Sequence, residues 1–409
     1  MDKFCVIGRS LPHTLSPEIH GRFGLNYGVE ELNESQLKDF VRSEKYKGFN
    51  VTVPYKRAVM QYLDEISPEA EKIGAVNTVV RRNGKIYGYN TDIGGMAYAI
   101  ERAGIKLEGK NVLILGTGGT SRVAEYLARR SGAASVTKAG RTSEVNYGNV
   151  YGLKDVEVIV NTTPVGMFPD VDGCPIDVEK FANLNGVFDV VYNPLKTELV
   201  ARAEKTGVPA SCGLAMLVEQ ARLARDVFLG EESDIAVTES ILDYLYKKNL
   251  NLVLTGMPSS GKTELGKILS KRLNKRLIDL DDVITQKTGM TIERIFAEYG
   301  ENKFRELEAT VAAESAKQLG VVIATGGGTV MNEKSFNALR RNGFLVYVDR
   351  PIELLVCDGR PVSKSRGVEN IFEERKPVYE KADFKVLNDR DLNLVVEEIV
   401  KKYEKDISY

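Results

Sequence analysis

Residues 250–263, LNLVLTGMPSSGKT, carry the most specific chemistry in the chain. The spacing Gly256-x-x-x-x-Gly261-Lys262-Thr263 is that of a P-loop. Backbone N–H groups along Gly256, Ser259, Ser260 and Gly261, and on to Glu264, are suited to wrap a polyphosphate. Lys262 reaches the outer phosphates, and the Thr263 hydroxyl holds Mg²⁺. A helix beginning at Lys262 adds positive potential at the same point. A chance Gly/Ser loop is the bland alternative, but strand, loop, Lys-Thr and helix fall in the required order. Downstream, RLIDLD at 276–281 reads as a strand ending in Asp279-x-Asp281. One carboxylate suits Mg²⁺ or its waters, and the other a substrate hydroxyl.

Weaker candidates precede the P-loop. Lys56 follows a strand, Phe49–Val53, that ends at Pro54, so it stands at the strand's C-terminal mouth, where open α/β sheets bind ligands. By itself such a lysine is more often solvated. Asp92 precedes a helix and by itself reads as a cap. Thr14 and Ser16 flank the turn GRSLPHTLSP, and for Ser16 capping and ligand binding are equally good readings. Gly116, Gly118, Gly119, Thr120 and Ser121 form a G-x-G-x-x-small fingerprint between a strand, Lys110–Leu115, and a helix, Arg122–Arg130. After the next strand, Ser135–Ala139, Arg141-Thr142 stands where a carboxylate would meet a free ribose 2′-hydroxyl. A guanidinium fork there suits a phosphate, which favours NADP(H) over NAD(H).

Buried strands that end in ligand-facing loops must position these groups. The remaining signals are a strand over Ala75–Val80, a turn at Asn83-Gly84, runs at 158–167 and 186–194 ending in Thr, Gly, Pro or Asn, and a long helix opened by 213–220. The whole is α/β, with 409 residues enough for two or three domains. Net charge is −1, so no bulk basic field points to nucleic acid or an anionic membrane. Cys5, Cys174, Cys212 and Cys357 are scattered and suggest neither zinc nor disulfides. No apolar run reaches membrane-spanning length and the N-terminus lacks a signal h-region, so a cytoplasmic protein is expected. His13 and His20 are the only histidines, which leaves proton transfer mostly to Lys, Asp and Glu.

SLPHTLSP, GFNVTVPYK, GAVNT and GYNTD, in this order, resemble the substrate domain of shikimate dehydrogenases. The resemblance covers about residues 1–245 and implies a substrate-binding α/β domain at 1–100 and a Rossmann-type NADP domain at 101–246, whose last helix returns to the first. It implies a Lys56–Asp92 catalytic dyad. It implies that Thr14, Ser16, Thr52, Asn77 and Asp92 hold the hydroxyls and carboxylate of a cyclohexene acid, with Tyr192 and Gln220 also touching it. Thr162, Val190 and Gly213 then line the nicotinamide side. Thr14 stands where the family usually has serine and keeps the hydroxyl. The physical account fits: reducing a ketone leaves an alkoxide that must gain a proton, and a lysine beside a carboxylate can deliver it. The segment from Arg141 to Val158 is too short and too glycine-bearing for the family's usual crossover helix, so a loop or single turn is expected, with looser adenosine binding.

The P-loop, the DxD pair, GENKFRELE at 300–308, TGGG at 325–328, Arg360-Pro361 and RKPVY at 375–379 together resemble shikimate kinases. A P-loop kinase domain at 249–409 is implied. Asp281, Arg305, Gly327, Gly328 and Arg375 would bind shikimate, and Arg360 would fold over the phosphates in a lid between 359 and 375. Val356–Gly359 supplies no basic residue to stack on adenine, and the lid is short, which bears on ATP affinity and rate. The two resemblances match consecutive reactions of aromatic amino-acid biosynthesis, using NADPH and then MgATP. The seam at 244–249 is too short for a free linker, so close-set domains are expected, as a monomer or homodimer. Three rivals stay open: a quinate-type dehydrogenase, a non-catalytic nucleotide-binding second half, and a general P-loop NTPase.

Overall fold

The structure is a computed structural model and describes residues 2–12, 14–355, 367–407 and 409. It divides into two compact units, Met1–Asn193 with Thr197–Leu242, and Pro194–Lys196 with Asp243–Tyr409.

The first unit opens with β1 (Lys3–Gly8), α1 (Ser16–Arg22), β2 (Asn26–Glu31), α2 (Leu37–Arg42), β3 (Gly48–Val51), β4 (Glu65–Ile66), α3 (Pro68–Ile73), β5 (Thr78–Arg82), β6 (Lys85–Tyr89) and α4 (Asp92–Arg102). The strands form one sheet in the order β2-β1-β3-β5-β6-β4. β1 is parallel to β2 and β3, while β5 is antiparallel to β3 and β6. Asn83 and Gly84 turn the β5–β6 hairpin with φ of 50° and 75°, the twist a two-residue turn needs. Cys5, Ile7, Phe49, Val51 and Val79 are fully buried on this sheet. The expected strands shift at their ends. β3 stops at Val51 rather than Val53, and β5 starts at Thr78, leaving Asn77 just outside the ladder.

A second sheet follows, built from β7 (Asn111–Leu115), α5 (Gly119–Arg130), β8 (Ser135–Ala139), β9 (Val158–Asn161), β10 (Gly186–Asp189), α6 (Glu198–Lys205), β11 (Ala210–Ser211) and α7 (Leu214–Leu229). All pairs are parallel, in the order β11-β10-β9-β7-β8. Counted from β7, this is the 2-1-3-4-5 variant of the doubly wound sheet, and its order reverses between β7 and β9. The β8–β9 connection contains one 3-10 turn, Val150–Gly152, as its composition suggests. α5 begins at Gly119, three residues before the expected start, because its first turn is the fingerprint itself. α7 packs on α4 and α1 and so ties the two sheets together.

α8 (Ile235–Asn249) runs across the division between the units, so the seam read at 244–249 lies inside a helix. The second unit continues with β12 (Asn251–Thr255), α9 (Lys262–Arg272), β13 (Arg276–Asp279), α10 (Leu280–Thr288), α11 (Ile292–Ala316), β14 (Val321–Ala324), α12 (Glu333–Arg341), β15 (Gly343–Asp349), α13 (Val368–Tyr379), β16 (Phe384–Leu387) and α14 (Leu392–Lys405). The sheet order is β13-β14-β12-β15-β16, entirely parallel, with β12 central and all five of its residues buried. One expectation is corrected. The strand reaches only Asp279, whose side chain accepts from Asp281 N and caps α10, so Asp281 sits on a helix. Residues 375–379, at the far end of the expected lid segment, form the last turns of a helix, α13. Among the described residues, no helix is long and apolar enough to cross a membrane.

Candidate active sites

A cavity of about 210 Å³ lies between the two sheets of the first unit. Ser16, Thr52, Lys56, Asn77 and Asp92 line it from the first sheet's side. Thr120, Val190, Tyr192, Gly213 and Gln220 line it from the second. Residues far apart in sequence thus converge on one space. At its floor Lys56 Nζ donates to Asp92 Oδ2 at 2.6 Å, with Asp92 buried and Lys56 partly exposed. Asn77 Nδ2 donates to Asp92 Oδ1 at 2.9 Å, so both carboxylate oxygens are engaged. Asp92 is therefore no helix cap: the cap position of α4 is Thr91, and no side chain caps there. Ser16 also caps nothing; the cap position of α1 is Leu15, and Thr14 Oγ1 donates to Ser16 Oγ at 3.1 Å. Gln220 is steadied by its Nε2 donating to Leu217 O at 2.9 Å. Burial raises the Tyr192 phenol above its usual pKa.

The dinucleotide fingerprint lies at the mouth of the second sheet's strand reversal. Ser121 is buried and donates to Gly118 O at 2.7 Å, within the first turn of α5. A Cβ placed on Gly118 or Gly119 would meet nothing within 4 Å, so the N-terminus of α5 faces open space fit for a phosphate. Gly116 abuts Thr162, whose hydroxyl donates to Leu115 O at 2.6 Å. Gly213 approaches Val190 O so closely that any side chain would collide with it. Below them Asn161, Asp189 and Thr197 form a buried polar knot that fixes the ends of β9 and β10, with Asn161 Nδ2 and Thr197 Oγ1 donating to Asp189 at 3.0 and 2.8 Å. Burial pushes the Asp189 carboxyl up to about 6. Arg141 and Thr142 are exposed just past the end of β8.

In the second unit the loop after β12 curls around its own lysine. Lys262 Nζ donates to Gly256 O at 2.9 Å and Met257 O at 2.8 Å, and Ser259 takes a positive φ of 65°. The Thr263 hydroxyl donates to Asp279 Oδ2 at 2.7 Å, which joins the two expected metal-holding groups. Glu264 is exposed and pairs with Lys267. Arg305 lies on α11 beyond a break at Gly300, where φ is 78°. Burial disfavours its charge, but Glu308 and Glu301 outweigh that and raise its pKa. Glu308 is itself buried between Arg305, at 2.6 Å, and the Thr329 hydroxyl, also at 2.6 Å. Gly328 lies against the Arg305 guanidinium with no space for a Cβ. The Tyr379 hydroxyl donates to Gly327 O, and buried Arg375 lies beside that hydroxyl. Asp281 Oδ1 lies close to Gly326, so Asp281, Arg305, Arg375 and the glycine run form one cluster next to the P-loop. Arg360 lies outside the described residues, as does Val356–Gly359.

Sequence reasoning missed several participants. Asn50 lines the first cavity, and its signal is a polar residue inside the wholly buried strand GFNV. Thr91 binds both ends of the Asn77 amide and is visible only as part of GYNTD. Glu308 and Tyr379 carry no role legible in their own motifs, because Thr329 and Gly327, which they meet, come from other segments.

Residues 6–79 match the family model of the shikimate dehydrogenase substrate binding domain, and residues 258–406 match that of shikimate kinase. Over 273 residues the chain is 36% identical to shikimate dehydrogenase (NADP(+)) of Caldanaerobacter subterraneus, covering 60% of this chain and 95% of that one. A chorismate mutase/shikimate 5-dehydrogenase fusion protein from Clostridium acetobutylicum superposes with a TM-score of 0.58 at 32% identity, covering 60% of this chain and 96% of that chain. Shikimate 5-dehydrogenase from Thermus thermophilus, in complex with NADP(H) and shikimate, gives 0.53 at 32% identity, covering 59% and 98%.

Proposed function

The chain belongs to the shikimate dehydrogenase family and carries a shikimate kinase domain behind it, and we propose how its own residues perform the two reactions. It is a bifunctional enzyme of the shikimate pathway: NADPH-dependent reduction of 3-dehydroshikimate to shikimate, and MgATP-dependent phosphorylation of shikimate to shikimate 3-phosphate. The observation that carries the first assignment is the Lys56–Asp92 pair, 2.6 Å apart in a cavity walled by both sheets.

When bound, NADPH supplies the hydride. Gly116, Gly118, Gly119, Thr120 and Ser121 hold its pyrophosphate end, Arg141 and Thr142 its 2′-phosphate, and Thr162, Val190 and Gly213 its nicotinamide side. Lys56 faces the carbonyl oxygen, stabilises the charge that develops there and delivers the proton, a role worth about 10²–10⁴ in rate. Asp92 aims the ammonium and, with Asn77, binds a ring hydroxyl. Thr14, Ser16, Thr52, Tyr192 and Gln220 hold the rest of the substrate.

When bound, MgATP supplies the phosphoryl group to the second site. Thr263 and Asp279 would hold the metal. Lys262 would bind the phosphate oxygens. Asp281 receives the substrate hydroxyl proton, while Arg305, Arg375, Gly327 and Gly328 bind the ring and its carboxylate, the guanidinium forks suiting a carboxylate. Arg360 is assigned to the ATP phosphates from its motif. The domain limits that fit this assignment are 1–100, 101–246 and 249–409.

The test is to incubate the purified chain with shikimate and MgATP, without NADP(H), and seek shikimate 3-phosphate by mass spectrometry. Product that disappears in Asp281→Asn is expected. ATP binding without product would overturn the kinase assignment. For the first site, NADP⁺ reduction by shikimate is expected, and oxidation of quinate alone would overturn it.

A further inference from the structure

Behind the first cavity a chain of buried hydrogen bonds runs away from the Lys56–Asp92 pair. Thr78 is fully buried at the start of β5, and its hydroxyl donates to Asn77 Oδ1 at 2.9 Å. The same hydroxyl accepts from Asn50 Nδ2 at 3.1 Å. The second hydrogen of Asn50 Nδ2 goes to Asn77 O at 3.2 Å, and Asn50 Oδ1 accepts from the Tyr27 hydroxyl at 2.6 Å. Neither Thr78 nor Tyr27 lines the cavity, whereas Asn50, Asn77 and Asp92 do.

The polarity of this relay is fixed at two backbone points. Thr91 N donates to Asn77 Oδ1 at 2.8 Å, so the other end of that amide, Nδ2, must face Asp92. Asn77 O can only accept, so the Asn50 amide must turn its nitrogen inward and its oxygen toward Tyr27. A hydroxyl with one proton and two lone pairs satisfies both amides only at Thr78. Both hydrogens of Asn50 are then spent on the protein, and its oxygen is engaged by the Tyr27 hydroxyl and also meets the His20 ring. Asn77 likewise divides its two hydrogens between Thr91 Oγ1, at 3.0 Å, and Asp92. Tyr27 is itself held by the His20 ring, stacked at a centroid distance of 4.0 Å.

We propose that Thr78 and Tyr27 are positioning residues of the dehydrogenase site: they fix the amide orientations of Asn50 and Asn77, so that Asn50 braces the cavity wall through Thr78 and Asn77 holds Asp92 against Lys56. This rests on the dehydrogenase assignment above. Buried polar groups in such a network lose their placement when one partner is removed, because the rest are left unsatisfied.

Thr78→Val keeps the shape and removes the hydroxyl; Thr78→Ser keeps the hydroxyl; Tyr27→Phe breaks the far end. With the full chain and shikimate oxidation by NADP⁺, Thr78→Val is expected to raise the shikimate KM about tenfold, the size of one buried hydrogen bond, and to leave the NADP⁺ KM unchanged. Thr78→Ser restores it to within about threefold. Tyr27→Phe acts in the same direction, and the double variant Tyr27→Phe/Thr78→Val falls short of the product of the single effects, since both act through Asn50. If Thr78→Val fails to fold, Tyr27→Phe carries the test alone. An unchanged shikimate KM in folded Thr78→Val or Tyr27→Phe overturns the proposal, as does an equal rise in both substrates' KM. A parent chain that does not oxidise shikimate overturns the dehydrogenase assignment instead, so the two failures are distinct.

Discussion

His20 is buried against Tyr27, and its Nδ1 has no hydrogen-bond partner. Burial holds it neutral in the folded chain, with its pKa depressed to about 3. The unfolded chain takes up this proton near pH 6.5, and the folded one refuses it until about pH 3. Acidification through 6.5 therefore destabilises the first unit, by about 1.4 kcal/mol for each pH unit inside the window. Asp189 opposes it: raised to about 6, it holds a proton that the unfolded chain has lost, so acidification from 6 toward 4 adds stability. Chemical denaturation of parent and His20→Phe between pH 7 and 5 separates the two. The variant should lose less stability on acidification than the parent. Equal slopes would show that His20 titrates normally when folded. This pressure was not legible in the sequence, where His20 was one of two histidines with no assigned partner. Lys56 and Asp92 were little better placed, because each by residue type alone has a commoner use. Only the fold brings them, 36 positions apart, to hydrogen-bonding distance.

Elements were legible where buried runs ended in glycine or polar residues, as with β7, β8, β12 and the β5–β6 hairpin. Their ends were harder to place where a side chain from the element competes with the backbone. Asp279 stops β13 by capping α10, and it moves Asp281 from a strand to a helix. Strand order was not legible either, since β8 and β9 lie on opposite sides of β7 and no local pattern records that. The short β8–β9 connection matters for the cofactor. Without a crossover helix there, Arg141 projects from an exposed loop. Its contribution should then be that of a solvated charge-assisted contact rather than a buried clamp. Arg141→Ala is expected to raise the NADP⁺ KM by up to about fivefold, with the shikimate KM and the NAD⁺ KM unchanged. Steady-state kinetics with both dinucleotides reads this directly. A parallel rise for NAD⁺ would move Arg141 from the 2′-phosphate to a general structural role.

At the scale of the whole molecule, each assigned site draws its described residues from one unit. Lys56, Asp92, Tyr192 and Gln220 belong to the first, and Lys262, Asp281, Arg305 and Arg375 to the second. A site complete within its own fold needs nothing chemical from the other, so the two activities should be separable by single substitutions. Lys56→Met removes the proposed proton donor and is expected to lower reduction of 3-dehydroshikimate by about 10²–10⁴, with shikimate phosphorylation unaffected. Asp281→Asn should do the reverse. Supplied with 3-dehydroshikimate, NADPH and MgATP, neither variant alone makes shikimate 3-phosphate at the parental rate. A mixture of the two should make it, with a lag while shikimate accumulates in solution, because the intermediate leaves one variant and binds the other. Mass spectrometry of the time course measures both the lag and the final yield. Loss of both activities in either variant would mean that the sites depend on one another. Recovery in the mixture would mean that the fusion adds co-production of two enzymes, each chemically whole.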